Sequence, residues 1–240
     1  MKLVSFFSGA GGLDLGFEQA GFDVIYANEY DKTIWETFEK NHSAYLDRRD
    51  IRDIKSEEIP DCDGIVGGPP CQAYSLVGRA QSSHMETPMA NDPRNDLYKL
   101  YAKFLQKYQP KMFVFENVMG IKSANGGATW KKVQEALRAV GYEIDFHEQN
   151  SKNFGVLQNR RRMIIVGWLK NSGLSYPTFA TKNVTATVND ILEDLPAIYP
   201  GQSAAHYRTD KPSQYLIDTG IRTESDILTH HCARTNKPRD

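Results

Sequence analysis

Apolar residues fall into short blocks separated by glycine, proline and polar clusters, and the blocks follow two different periods. Short, mostly apolar runs at residues 3–7, 22–27, 63–66, 112–115 and 163–167 are too short for core helices and end in turn residues. They predict buried strands. Between them lie stretches with apolar residues three and four apart. Residues 13–20 carry Leu13, Leu15 and Phe17, and residues 95–107 carry Leu97, Leu100, Tyr101, Phe104 and Leu105. These two stretches, with 31–41 and 129–140, predict helices. A short strand before Asp50 and another over 142–148 complete the set. Strands that alternate with helices predict an α/β fold, a mostly parallel sheet with helices on both faces. Beyond Pro177 the pattern weakens: 188–195 reads as one short helix stopped by Pro196, and the rest is polar and proline-punctuated. The chain is therefore expected to divide into residues 1–180 and 181–240, with no internal repeat or low-complexity segment.

Composition narrows the function classes. The formal net charge is −1, so any positive surface for nucleic acid must be local. Residues 181–240 hold seven Lys/Arg against eight Asp/Glu and offer no basic patch. Cys62, Cys71 and Cys232 are odd in number and widely spaced, which fits a reducing compartment better than a disulfide framework. The apolar start is too short for a signal peptide, and no stretch is long enough to span a membrane. A cytoplasmic protein is expected. His230-His231-Cys232 has no second ligand cluster, so no metal site is expected.

The candidate chemistry sits where the predicted strands end. Residues 63–66 run into Gly67-Gly68-Pro69-Pro70-Cys71-Gln72. Two prolines stiffen that elbow, and the first residue beyond it is a thiol at the carboxyl end of a strand, where α/β sheets place their chemistry. A cysteine used only for packing would not need such an elbow. Ser8-Gly9-Ala10-Gly11-Gly12 joins the first strand to the first helix, as in nucleotide-binding units, although Asp14 stands where a dinucleotide fingerprint has its third glycine. Asn28-Glu29-Tyr30 ends the second strand; Glu29 can bind ribose hydroxyls or cap the next helix, and Tyr30 can stack on a purine. Asp50-Ile51 can hold an adenine amino group and ring face, or Asp50 can be a turn residue. Glu116-Asn117-Val118 follows four apolar residues, which should desolvate Glu116 and raise its pKa. Gln158-Asn159-Arg160-Arg161-Arg162 is the densest basic cluster. Alternation should aim Arg160 and Arg162 to one side and Arg161 to the other. The long polar stretch from Ala73 to about Asp96 reads as a lid over bound substrate.

Together these motifs resemble the bacterial DNA (cytosine-5) methyltransferases of restriction–modification systems, in order and spacing, over roughly the first 170 residues. The resemblance implies a Rossmann-like S-adenosylmethionine-dependent fold whose last strand is antiparallel. It implies S-adenosylmethionine at Gly9, Ala10, Gly11, Gly12 and Leu13, with Glu29 on the ribose, Tyr30 beside it and Asp50-Ile51 on the adenine. Phe7, Pro70 and Leu97 would line the same pocket. Cys71 would be the nucleophile, Glu116 the proton-sharing group, Arg162 the contact to the base carbonyl, and Arg160 a positioning group. The implied partner is double-stranded DNA with its cytosine flipped out. Residues 1–180 would be the catalytic and cofactor-binding domain, and 181–240 a connector and the start of a target-recognition domain. Full-length members continue with that domain and a returning segment, so a continued reading frame or a second polypeptide is expected to supply the remainder.

Three other readings compete. A transfer-RNA cytosine methyltransferase would share the chemistry. A nicotinamide oxidoreductase is favoured by the glycine turn and Glu29, but leaves Pro-Pro-Cys and Glu-Asn-Val unused. A non-catalytic nucleic-acid module would need neither a desolvated Glu116 nor a nucleophile elbow.

Overall fold

The computed structural model describes residues 1–70, 96–182 and 184–236. The expected lid and Cys71 itself lie outside the described residues. Contacts divide the chain into two units, the first Met1–Asn150 with Arg160–Ala180, the second Ser151–Asn159 with Thr181–Asp240.

Among the described residues the first unit holds seven strands: β1 (Lys2–Phe6), β2 (Asp23–Asn28), β3 (Tyr45–Asp47), β4 (Gly64–Gly67), β5 (Met112–Val118), β6 (Tyr142–Asn150) and β7 (Arg161–Leu169). Their order in the sheet is β3-β2-β1-β4-β5-β7-β6. Strands β1 to β5 pair in parallel, and β7 runs antiparallel to both β5 and β6. The sheet is thus mostly parallel, and the last strand is reversed as expected. Its helices are α1 (Gly12–Gln19), α2 (Trp35–Asn41), α3 (Leu97–Tyr108) and α4 (Ala128–Ala139).

Alternation along the strands sorts side chains onto two faces. Phe6, Ile65, Phe113, Phe115, Met163 and Ile165 share one core with Tyr101, Phe104 and Leu105 of α3 and Val133 and Leu137 of α4. Leu3, Ala27, Val66, Val114, Val166 and Trp168 share the other with Phe38 of α2, and Leu13 and Phe17 of α1 pack against it. The Tyr101 hydroxyl, fully buried, donates towards the carbonyls of Ile65 and Val114, so α3 is tied to two neighbouring strands.

Helix α2 begins later than the apolar period predicts. Asp31 accepts hydrogen bonds from the backbone and hydroxyl of Thr33, and this local turn holds the chain out of helical geometry until Trp35.

In the second unit, short helices span Val188–Leu192 (α5) and Gln214–Asp218 (α6). Thr187 and Asp190 form a capping box on α5, which ends sooner than the predicted 195. Buried Arg222 organises the unit. It pairs with buried Asp194, lies 3.4 Å from the Tyr207 ring centroid, and donates to the carbonyls of Thr209 and Asp210.

Candidate active site

Because β1 and β4 are neighbours while the chain runs outward from them in opposite directions, the sheet has a switch point between them. Ligands bind at the carboxyl edge of such a point. A cleft of about 780 Å³ opens there, lined by the residues that follow β1, β2, β3 and β4. It brings together Phe7, Glu29, Tyr30, Asp50, Ile51, Pro70 and Leu97, all read from the sequence as cofactor residues.

The glycine turn is built tightly. Gly11 takes φ +81°, and a Cβ there would lie 2.0 Å from Nε2 of His42, so only glycine fits. Phe7 also has positive φ, an uncommon state for an aromatic residue. Glu29 holds this turn to the end of β2: its carboxylate accepts from the Gly9 N–H at 2.8 Å and the Asp31 N–H at 2.7 Å. It does not cap α2. Gly12 and Leu13 are not in the cleft; they line an apolar groove of about 590 Å³ on the far side of α1, with Met112, Ile164 and Trp168. Ala10 is exposed, and Asp14 is buried beneath the turn. Burial pushes the Asp14 carboxyl upwards against the Ser5 hydroxyl, its own backbone and His42, and neither oxygen has a hydrogen-bond partner of ordinary geometry.

Asp50 takes up the turn role its sequence allowed, at a position on the cleft wall. It lines the cleft, and it caps the turn Ile51–Asp53 by accepting from the Arg52 N–H at 2.9 Å. The Arg52 guanidinium also grips it, which holds its carboxyl below the usual range. Sequence reading missed Lys32, Ile34, Trp35, Arg48 and Arg52 on the cleft wall. Trp35 donates its indole N–H to the Glu29 carbonyl at 2.8 Å, so α2 fixes the backbone of the acid.

The second cluster lies one strand further along. Pairing of β4 with β5 reaches Gly67 opposite Phe115, and Glu116 follows directly. A Cβ on Gly68 would sit 3.0 Å from Glu116 Oε2, which puts the carboxylate against the backbone that leads into Cys71. Reversal of β7 places its first residues at this same edge, with Arg162 opposite Val118 and Ile164 opposite Glu116. Arg162 Nε reaches Glu116 Oε1 at 2.8 Å. Burial raises the Glu116 carboxyl above its ordinary range, and Arg162 and Arg160 only partly offset it. Arg161 points elsewhere and pairs with Glu148, as strand alternation requires. A desolvated carboxyl between a guanidinium and a proline elbow can share a proton with a bound heterocycle. Among the described residues, no group of three or more His, Cys, Asp or Glu could hold a metal ion. No helix among them is long and apolar enough to cross a membrane.

This geometry has relatives. Type II methyltransferase M.FnuDI of Fusobacterium nucleatum is 49% identical over 175 residues, covering 73% of this chain and 49% of the relative. Type II methyltransferase M.MthTI of Methanothermobacter thermautotrophicus is 38% identical over 200 residues, covering 83% of this chain and 58% of the relative. A solved structure described as a DNA modification methyltransferase encoded within an E. coli prophage superposes with TM-score 0.69 at 26% identity, covering 90% of this chain and 62% of that one. The chain spans about half to three fifths of the length of these proteins. Residues 1–233 match the C-5 cytosine-specific DNA methylase family, and the chain belongs to that family.

Proposed function

We propose that the chain is the catalytic portion of an enzyme that transfers a methyl group from S-adenosylmethionine to carbon 5 of a cytosine flipped out of a specific duplex DNA sequence. The observation that carries this reading is Glu116: a carboxyl with raised affinity for its proton, held beside the Gly68-Pro69-Pro70 elbow and paired with Arg162.

The cleft fits the methyl donor. Glu29 retains lone pairs for ribose hydroxyls, Asp50 and Ile51 offer an acceptor and an apolar face for adenine, and exposed Tyr30 offers a ring to stack on. Phe7, Pro70 and Leu97 flank the remainder. When bound, the donor supplies an electrophilic methyl group on a sulfonium.

Cytosine carbon 5 is a weak nucleophile, and the Cys71 thiolate raises its reactivity by adding to carbon 6. The electron pair displaced by that addition moves towards carbon 5 and ring nitrogen 3. Glu116 donates its proton to nitrogen 3 and accepts from the amino group, while Arg162 meets the base carbonyl. Arg160 supports the carboxylate that forms. After methylation a base takes the carbon 5 proton, the Cys71–carbon bond breaks, and Glu116 recovers its proton. The base must leave the duplex stack for any of this to happen. We assign residues 181–240 to a connector and the start of the target-recognition domain. The region that relatives carry beyond it, in the same polypeptide or a second one, would supply DNA contacts and close the cofactor cleft.

The test uses the enzyme completed with that region. Labelled methyl groups should pass to duplex DNA and not to transfer RNA, and a duplex with 5-fluorocytosine should trap a covalent adduct through Cys71. Cys71→Ser should abolish both and keep cofactor binding. Wild-type turnover in the serine variant would sink the mechanism, and transfer to RNA alone would favour the transfer-RNA reading.

A further inference from the structure

We infer that the Asn117 side chain positions the cysteine elbow against the strand that carries Glu116. This role rests on the activity proposed above. Ladder pairing between β4 and β5 stops at Gly67 and Phe115. Beyond it, Pro69 and Pro70 have no N–H, so this stretch of backbone can be anchored to its neighbour only through its carbonyls. The Pro69 carbonyl accepts from Asn117 Nδ2 at 3.1 Å. The Asn117 Oδ1 accepts from the Val118 N–H at 2.9 Å. One end of the amide thus faces an acceptor and the other a donor, which fixes its orientation. The residue is 4% exposed, so water does not compete for these bonds.

Asn117 adjoins Glu116 in sequence, and Cys71 is two residues beyond Pro69 with one fixed proline φ between them. Loss of this bond frees the Pro69 carbonyl from the strand of Glu116, and the expected consequence is a nucleophile less well held. One buried amide links the strand of the proton donor to the elbow of the thiol. A displacement near 1 Å at a reacting group can lower rate about 100-fold. Asparagine is also the residue type the site requires: aspartate has the same shape but turns its oxygen, an acceptor, on the carbonyl oxygen.

The experiment compares wild type, Asn117→Asp, Asn117→Ala and Cys71→Ser in the enzyme completed with the region its relatives carry. It measures trapping on a 5-fluorocytosine duplex, S-adenosylmethionine affinity by calorimetry, and melting. Asn117→Asp should trap roughly 10- to 100-fold more slowly, with cofactor affinity within about threefold of wild type. Its defect relative to wild type should shrink as pH falls, because a protonated carboxyl regains a donor towards Pro69. A residue serving stability alone would not move that ratio. If Asn117→Asp does not fold, Asn117→Ala should still trap about tenfold more slowly. Wild-type trapping by a folded variant at every pH overturns the inference while the activity stands. Equal behaviour of wild type and Cys71→Ser overturns the activity itself, and this role with it.

Discussion

Replacing Glu116 by glutamine should slow methyl transfer roughly 100- to 1,000-fold, the usual range for removing a positioned general acid. Stability should change little. The Arg162 guanidinium and the Glu116 carboxylate touch at 2.8 Å, and with charge centres about 4 Å apart an effective permittivity near 20 gives about 4 kcal/mol of attraction. Both side chains are about a quarter exposed, at 23% and 29%, so solvent screens part of this; about 1–2 kcal/mol is a realistic residue. Removing the two ions from water opposes it by a similar amount or more, which leaves the pair near neutral for folding. The pH dependence carries the sharper test. Burial holds the Glu116 carboxyl above the ordinary range, with Arg162 and Arg160 pulling the other way. A raised folded pKa means that this group favours folding most below its unfolded value, about 4.3, and that the benefit is lost as pH rises through the folded value. Activity follows the same direction, because the proton donated to the base is present below the folded pKa and absent above it. Rate profiles of the completed enzyme should therefore show an alkaline decline that the glutamine variant lacks. Calorimetric titration of both forms should give the same cofactor affinity, since Glu116 does not line the cleft. A wild-type rate, or an unchanged alkaline limb, in the glutamine variant would refute the assignment.

Glu29→Ala should weaken S-adenosylmethionine by about 1–3 kcal/mol through the lost ribose contact and the two released backbone donors; unchanged calorimetric binding would move the ribose contact elsewhere. Asp14→Asn should stabilise the fold by about 1–3 kcal/mol at neutral pH, because it removes a desolvated carboxylate that the Ser5 hydroxyl, the backbone and His42 only partly compensate. Since burial raises the Asp14 carboxyl, the gap between variant and wild type should open as pH rises above the unfolded value near 3.9 and close towards pH 4. Melting curves across that range check it, and an asparagine variant less stable at pH 7 would be evidence of an unrecognised partner for Asp14.

Much of the cleft was legible because several of its residues share one rule: they follow apolar strand runs. Glu29, Asp50 and Pro70 each sit just past such a run, and the parallel sheet lays those positions along one edge. What escaped depended on side-chain partners that no periodicity encodes. Trp35 belongs to no motif, yet it lines the cleft and anchors the Glu29 backbone. Arg52 belongs to no motif, yet it grips Asp50. Gly12 and Leu13 belong to the motif but line a different groove, because Leu13 packs against the core on that face of the sheet. The reversed strand came only from family resemblance, since a buried strand reads the same in either direction.

That reversal explains why the arginine run and the two strand-end motifs meet although they are far apart in sequence. A parallel strand would present the residues after it at the catalytic edge and carry those before it to the opposite edge. Strand β7 is antiparallel, so Arg162 near its start, with Arg160 just before it, reaches the edge where β4 and β5 end. Pairing in register then leaves only alternation to decide which arginines face inwards. Arg162 meets Glu116 and Arg161 meets Glu148 because adjacent residues on a strand point to opposite faces. A one-residue slip of β7 would turn Arg162 to the opposite face and break its pairing with Glu116. The sheet register is therefore as much a part of the candidate chemistry as the residues themselves.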